Sequence, residues 1–123
     1  MIEFGFLCPV LFTILFGIIE TGRMFYVRQA LEYATEQAAR YYMLNPAAAS
    51  SSVTTALRST MAGSMGPAVS VAYSDVANCN GNSTVICTTI TASYTFTSAA
   101  SFAMFGLGTP LLRASAQAVR VQQ

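Results

Sequence analysis

The chain has 123 residues, enough for one domain with a modest core. Hydrophobic residues make up 54% of it and charged residues 9%, against roughly 25% charged in ordinary soluble domains, which favours a membrane or assembly protein. A formal charge of +1 gives no electrostatic footprint for nucleic acid. Histidine is absent, Asp75 is the one aspartate, and Glu3, Glu20, Glu32 and Glu36 all lie early in the chain. A general base, a nucleophilic triad or a transition-metal site needs groups that are mostly missing, so no catalytic residue, metal ligand or cofactor is expected.

The first element is an apolar run from Phe4 to Ile19, broken only by Thr13, which can bond back to its own helix. It is slightly shorter than the about 20 residues of a membrane span, and Met1 and Ile2 bring it close. A secretory signal peptide is the competing reading; the absence of a preceding basic region and of a clear cleavage site speaks against it. Glu3 and Pro9 are the two misfits. A carboxylate in hydrocarbon must find a partner or sit at the headgroup edge. Pro9 removes a backbone donor and frees the carbonyl of Gly5, so it either bends the helix or is tolerated in its first turns.

The helix continues through "ETGRMFYVRQALEYATEQAARYYMLNP", rich in good helix formers, and stops at Asn45-Pro46. Glu20 and Arg23 are spaced i,i+3, and Glu36 and Arg40 i,i+4, as intrahelical ion pairs. Phe25, Leu31, Tyr41 and Tyr42, with Ala30, Ala34 and Ala38, form the expected apolar stripe. One rod from about residue 2 to 44 is therefore oily all round in its first half and amphipathic in its second. After "PAAASSS" a short helix is expected in "SVTTALRSTMAGSMGP", where Val53, Ala56, Leu57, Thr60, Met61 and Ser64 follow helical spacing, with Ser51 or Ser52 as its cap and Gly66-Pro67 as its stop.

The period then changes to two. Val69, Val71 and Tyr73 share one side of a first strand. Ile86, Ile90, Ala92, Tyr94 and Phe96 share one side of a second, whose other side carries Cys87, Thr89, Thr91, Ser93, Thr95 and Thr97. A third strand places Leu112, Ala114, Ala116 and Ala118 together, small enough for a helix to approach closely. Between the last two strands, Phe102, Met104, Phe105 and Leu107 read as core or as a contact patch for a neighbour. Cys79 and Cys87 flank a turn signal at Asn80-Gly81, and their spacing suits a disulfide in an oxidising compartment; two unrelated reduced cysteines are the alternative. Cys8 reads as a small hydrophobe. Asn82-Ser83-Thr84 matches an N-glycosylation acceptor. The fold class is thus α+β: a long helix, a short helix and a three-stranded antiparallel sheet packed on the long helix. Residues 1–22 form a membrane or filament-core helix, and residues 23–123 form a small globular domain.

The acid-aromatic pair Glu3-Phe4, the early Pro9 and the group Gly17, Glu20, Gly22, Arg23 resemble the start of TadE-like pseudopilins of bacterial tight-adherence (Tad) pili. The closing small-residue segment ending in Arg120 is similar to that family's ending. The resemblance implies a precursor cut by a prepilin peptidase and a helix held first in the inner membrane. That helix then packs in an extracellular, type IV-like pilus used for surface attachment. Other pilins, pseudopilins and the assembly machinery are the implied partners. In type IV pilins an acid at the fifth mature position pairs with a neighbour's N-terminal amine; Glu3 is the match here, two positions earlier if Met1 is the mature start. The candidate assembly residues are Met1, Glu3, Phe4, Pro9, Phe12, Phe16, Glu20 and Arg23. Two other readings stand beside the filament subunit: a minor pseudopilin that primes or tips a pilus, and an anchored module whose threonine-rich strand face binds a surface.

Overall fold

A stretch free of proline from residue 10 to Leu44, rich in helix formers in its second half, gives one continuous helix, α1, over Ile2–Leu44. The computed structural model describes residues 2–61, 63, 65–81, 83–97 and 109–121, with the side chains of all of these except Ile2, Glu3, Phe6 and Asn80. At about 1.5 Å per residue α1 is roughly 65 Å long. It passes through Pro9 without interruption. The Thr13 hydroxyl donates to the Pro9 carbonyl (2.8 Å) and the Thr21 hydroxyl to the Gly17 carbonyl (2.8 Å), so neither threonine needs an outside partner in an apolar setting. At the far end the Asn45 backbone N–H and side-chain amide donate to the Tyr41 carbonyl at 3.0 and 3.1 Å. The helix closes there, ahead of Pro46, as the sequence predicts.

Val27, Leu31, Ala34, Thr35, Ala38 and Tyr42 are buried at three- and four-residue spacing along the second half of α1. Phe25 and Tyr41, placed on that stripe by the sequence reading, are instead 54% and 38% exposed. Tyr41 precedes Tyr42 by about 100° of helical rotation, and only one of two adjacent tyrosines can face the sheet. The expected Glu36–Arg40 pair does not form among the described residues; Arg28 and Glu32 pair instead, at 3.1 Å.

Helix α2 covers Ser50–Thr60. Its N-cap is Ala49, with no side-chain capping bond, so neither Ser51 nor Ser52 caps it. The early start has a partner in the sheet: the Tyr73 hydroxyl donates to the Ser50 carbonyl (3.0 Å) and lies 2.7 Å from the Thr54 hydroxyl. The end is also earlier than Gly66-Pro67, which sit in a separate turn, α3, over Met65–Ala68. Gly66 packs so closely on α2 that a Cβ there would lie 2.5 Å from the Arg58 carbonyl oxygen, and Gly63 adopts a left-handed φ of 60°. The chain folds back on the helix here, which two glycines permit.

Strands β1 (Ser70–Ala77), β2 (Val85–Thr95) and β3 (Leu111–Val121) form an antiparallel sheet in the order β1-β2-β3. The register aligns Tyr73 with Ile90 and Ile90 with Ala116, so the predicted apolar sides do fall on one face. That face covers α1 and α2. Leu31, Ala34 and Ala38 of α1, Val53 and Leu57 of α2 and Met61 just after it join Val69, Ile90, Ala92, Ala114 and Ala118 in one core. Alanines on α1 opposite alanines on β3 let helix and strand approach closely, and each fully buried Leu, Val or Ile contributes about 1.5–3 kcal/mol. Thr88 also lies on this face, fully buried, and its hydroxyl donates to Asp75 at 2.5 Å. On the outer face the register lines up Ser74, Thr89 and Gln117, and likewise Ser70, Ser93 and Arg113. Cys87 belongs to that outer face yet is buried, because it is disulfide-bonded to Cys79 in the single turn of 3-10 helix after β1.

Candidate functional site: an uncovered apolar helix

The core draws nothing from the start of α1: among the described residues, none before Glu20 is buried. Phe4 is 77% exposed, Phe16 60% and Ile18 64%, and Phe12 and Ile14 are exposed on opposite sides of the helix. A patch that is apolar on every side and continuous over several turns marks a surface meant for lipid or for protein. Exposing each such side chain to water forgoes about 1.5–3 kcal/mol, so the free rod is not a stable end state in solution. By length and composition, Leu7–Leu44 is a helix able to cross a membrane. Phe4, Leu7, Val10, Leu11 and Ile14 surround Cys8 in a shallow apolar groove.

The boundary between the bare and covered halves is marked by charge. Glu20 is 5% exposed, and its carboxylate accepts from the Arg23 guanidinium at 3.4 Å. Arg23 in turn lies over the Phe96 ring, 5.7 Å from its centroid, just beyond the end of β2. The Phe96 N–H donates to the Pro110 carbonyl (3.0 Å), tying the ends of β2 and β3 together at this point. Glu20, Arg23 and Phe96 thus fasten the sheet to α1 one turn after the apolar run ends. Nothing in the bare sequence linked Phe96 to Arg23; only the strand register and the helix length bring them together.

A family model described as TadE-like protein matches residues 1–40. Over this segment the chain is similar to TadE-like proteins. The match takes in the whole bare half of α1, the Glu20–Arg23 boundary and most of the sheet-facing stripe, and it includes the Gly17, Glu20, Gly22, Arg23 group. Comparison with curated proteins and with solved structures finds no match.

Of the assembly residues named from the sequence, α1 displays Phe4, Phe12 and Phe16 on its bare surface, with Pro9 exposed among them. Glu20 and Arg23 are drawn into one copy's own packing. Glu3 lies in the first turn of α1, its side chain outside the described residues, as are Met1 and the segment holding Phe102, Met104, Phe105 and Leu107. Cys79 and Cys87 are joined, with Cα atoms 5.6 Å apart. Among the described residues no three His, Cys, Asp or Glu side chains gather into a metal-binding group.

Sequence reasoning missed Tyr26 and Tyr33. They are 60% and 57% exposed on the back of the amphipathic half, where a helix serving only as a spine would carry polar groups. Their seven-residue separation was the available signal.

Proposed function

We propose that this TadE-like protein is a non-catalytic structural subunit of a Tad pilus, a type IV-like filament. The chain is held in the inner membrane by the first half of α1 and then polymerises through that same helix into an extracellular filament for surface attachment. The observation that carries this reading is that none of the described side chains of Phe4–Ile19 is buried, in a chain whose remaining elements make their own core. Such a helix must exchange one apolar surrounding for another, and other copies of the helix offer the same apolar surface that lipid does. Glu3 is the registration point in this reading, its carboxylate pairing with a neighbour's N-terminal amine once lipid is exchanged for protein. Prepilin peptidase, other pilins and the assembly machinery act on the chain before the filament is complete.

Shearing filaments from cells and identifying their peptides by mass spectrometry tests the proposal. The chain should be the main component, and a deletion strain should lack the filaments. Filaments that vanish on deletion but do not contain the chain would assign it the priming role of a minor pseudopilin. Filaments unchanged in the deletion strain would overturn both.

A further inference from the structure

We propose that the free edge of β3, with the flank of α1 beside it, is the seat for the free edge of β1 from a second copy of this chain, so that the sheet continues from copy to copy. The inference rests on the filament reading and goes beyond it by assigning a contact to the sheets rather than to the apolar helix. Which backbone groups point outward follows from one hydrogen bond. The Phe96 N–H donates to the Pro110 carbonyl (3.0 Å), one step beyond the pairing of Thr95 with Leu111 and in the same register. Antiparallel pairs alternate between bonded and non-bonded, so even-numbered residues of β3 turn their N–H and C=O groups to β2 and odd-numbered ones turn theirs outward. Arg113, Ser115, Gln117 and Val119 therefore present an outward ladder. The same alternation carried across β2 turns the even residues of β1 inward and leaves Val71, Tyr73, Asp75 and Ala77 facing out. Val69, next in that outward series, has its carbonyl taken by the Arg58 guanidinium at 3.1 Å. No hydrogen bond among the described residues reaches the outward backbone groups of the others.

Neither edge carries the usual guard against pairing. No proline or bulge interrupts either strand, the chain has no lysine, and Ser74, Val76, Ser115 and Gln117 are exposed and uncharged. Such an edge is a template for another strand about 4.8 Å away. Beside β3 that position lies over a groove lined by Glu36, Ala39, Arg40, Met43, Ala116 and Gln117, which wraps from the α1 side of the strand to its outer face. α1 and β3 run the same way, since Arg23 lies by Phe96 near the start of β3 and Arg120 lies over Tyr42 near its end. The charges beside the two edges are opposite in order. Along β3 the flank of α1 offers Glu36 and then Arg40, both exposed. Along β1 come Arg58, held at Val69, and then Asp75, whose side chain is 57% exposed. β1 and β3 both oppose β2, so they point the same way, and parallel pairing of β3 with β1 of the next copy brings acid toward base at either end. A symmetric β3–β3 pairing would close as a dimer and leave both β1 edges bare. Pairing β3 to β1 repeats without closing, as a filament requires.

Cross-linking within filaments tests the pairing. Cys8, the free cysteine, is first replaced by Cys8→Ser. Ser115→Cys or Gln117→Cys on β3 is then combined with Ala72→Cys or Ser74→Cys on β1, all on the outer face with β2 between them in one copy. Filaments are isolated, oxidised and run on a non-reducing gel. At least one combination should give a ladder of dimers, trimers and longer oligomers, and no single replacement should cross-link. Dimers from a single replacement would show symmetric pairing of like edges and overturn the inference. Intact filaments with no ladder from any combination would overturn it and leave the filament reading standing. Failure of the unmodified chain to appear in filaments would overturn both. As a second measurement, Gln117→Pro removes an outward N–H while leaving the bonds to β2. It should cut filament yield about tenfold or more, with the sheet still folded in the detergent-extracted chain. Gln117→Thr should assemble normally. Full yield from Gln117→Pro would also overturn the inference.

Discussion

The guanidinium of Arg120 lies 4.4 Å from the centroid of the Tyr42 ring, which joins the end of β3 to the last turn of α1. The same group donates to the Pro46 carbonyl at 3.3 Å and to Asp75 at 3.5 Å, and Asp75 also accepts from buried Thr88. One side chain thus holds α1, the loop after it, and β1 across β2. The Arg120–Asp75 contact is half-exposed at the aspartate and contributes little; the desolvated stacking on Tyr42 is the larger effect.

Arg120→Ala should therefore lower stability by about 1–3 kcal/mol. Arg120→Lys should restore only part of this, because an ammonium lacks the planar fork that stacks on Tyr42 while reaching two acceptors. Urea unfolding of the full chain in detergent, followed by circular dichroism, gives both values. An alanine variant as stable as the parent would show that the cluster is incidental to the fold.

Ala118 is fully buried between β3 and α1, in the same core as Ala34 and Ala38. Enlarging it leaves no room without pushing the helix off the strand. Ala118→Leu should cost about 1–3 kcal/mol, while Gln117→Leu, next to it on the outer face, should change stability by less than about 0.5 kcal/mol. Thermal melts of the two variants side by side separate overpacking from a general loss of strand propensity. Equal melts would contradict the close approach of α1 to β3.

The Cys79–Cys87 bond closes a loop with a sequence separation of 8 between the 3-10 turn and the central strand. Chain-entropy reasoning gives about 2–3 kcal/mol for a loop of this size. Cys79→Ser together with Cys87→Ser should lower stability by that amount and expose the start of β2 to amide exchange first. Peptide mapping without reductant should recover the bonded pair; two free thiols would remove this contribution.

Much of this fold was legible because its periods are clean. The switch from helical to alternating spacing near Val69 located the sheet, and Ala114, Ala116 and Ala118 identified the strand face that meets α1. Asn45-Pro46 marked the end of α1 because proline lacks the N–H that a helix interior needs and disfavours helical geometry in the residue before it. The misses have specific causes. Phe25 and Tyr41 were assigned to the core because a broad apolar stripe cannot reveal which edge of it a sheet will cover. The start of α2 depends on a hydroxyl from Tyr73, distant in sequence, that outweighs local capping by serine. Thr88 and Asp75 looked like ordinary polar positions until the register placed one against the other. The bare half of α1 was legible from composition alone, whereas the tyrosine face behind the domain needed the packed sheet to show which way α1 points.

The central claim, that the bare half of α1 is the core of a filament, is tested most directly by electron cryomicroscopy of sheared filaments. The expected map has α1 helices bundled along the axis, with Phe4–Ile19 surrounded by other copies and the three-stranded sheets outside. A filament built from other chains, or one in which Phe4–Ile19 of this chain faces solvent, would contradict it.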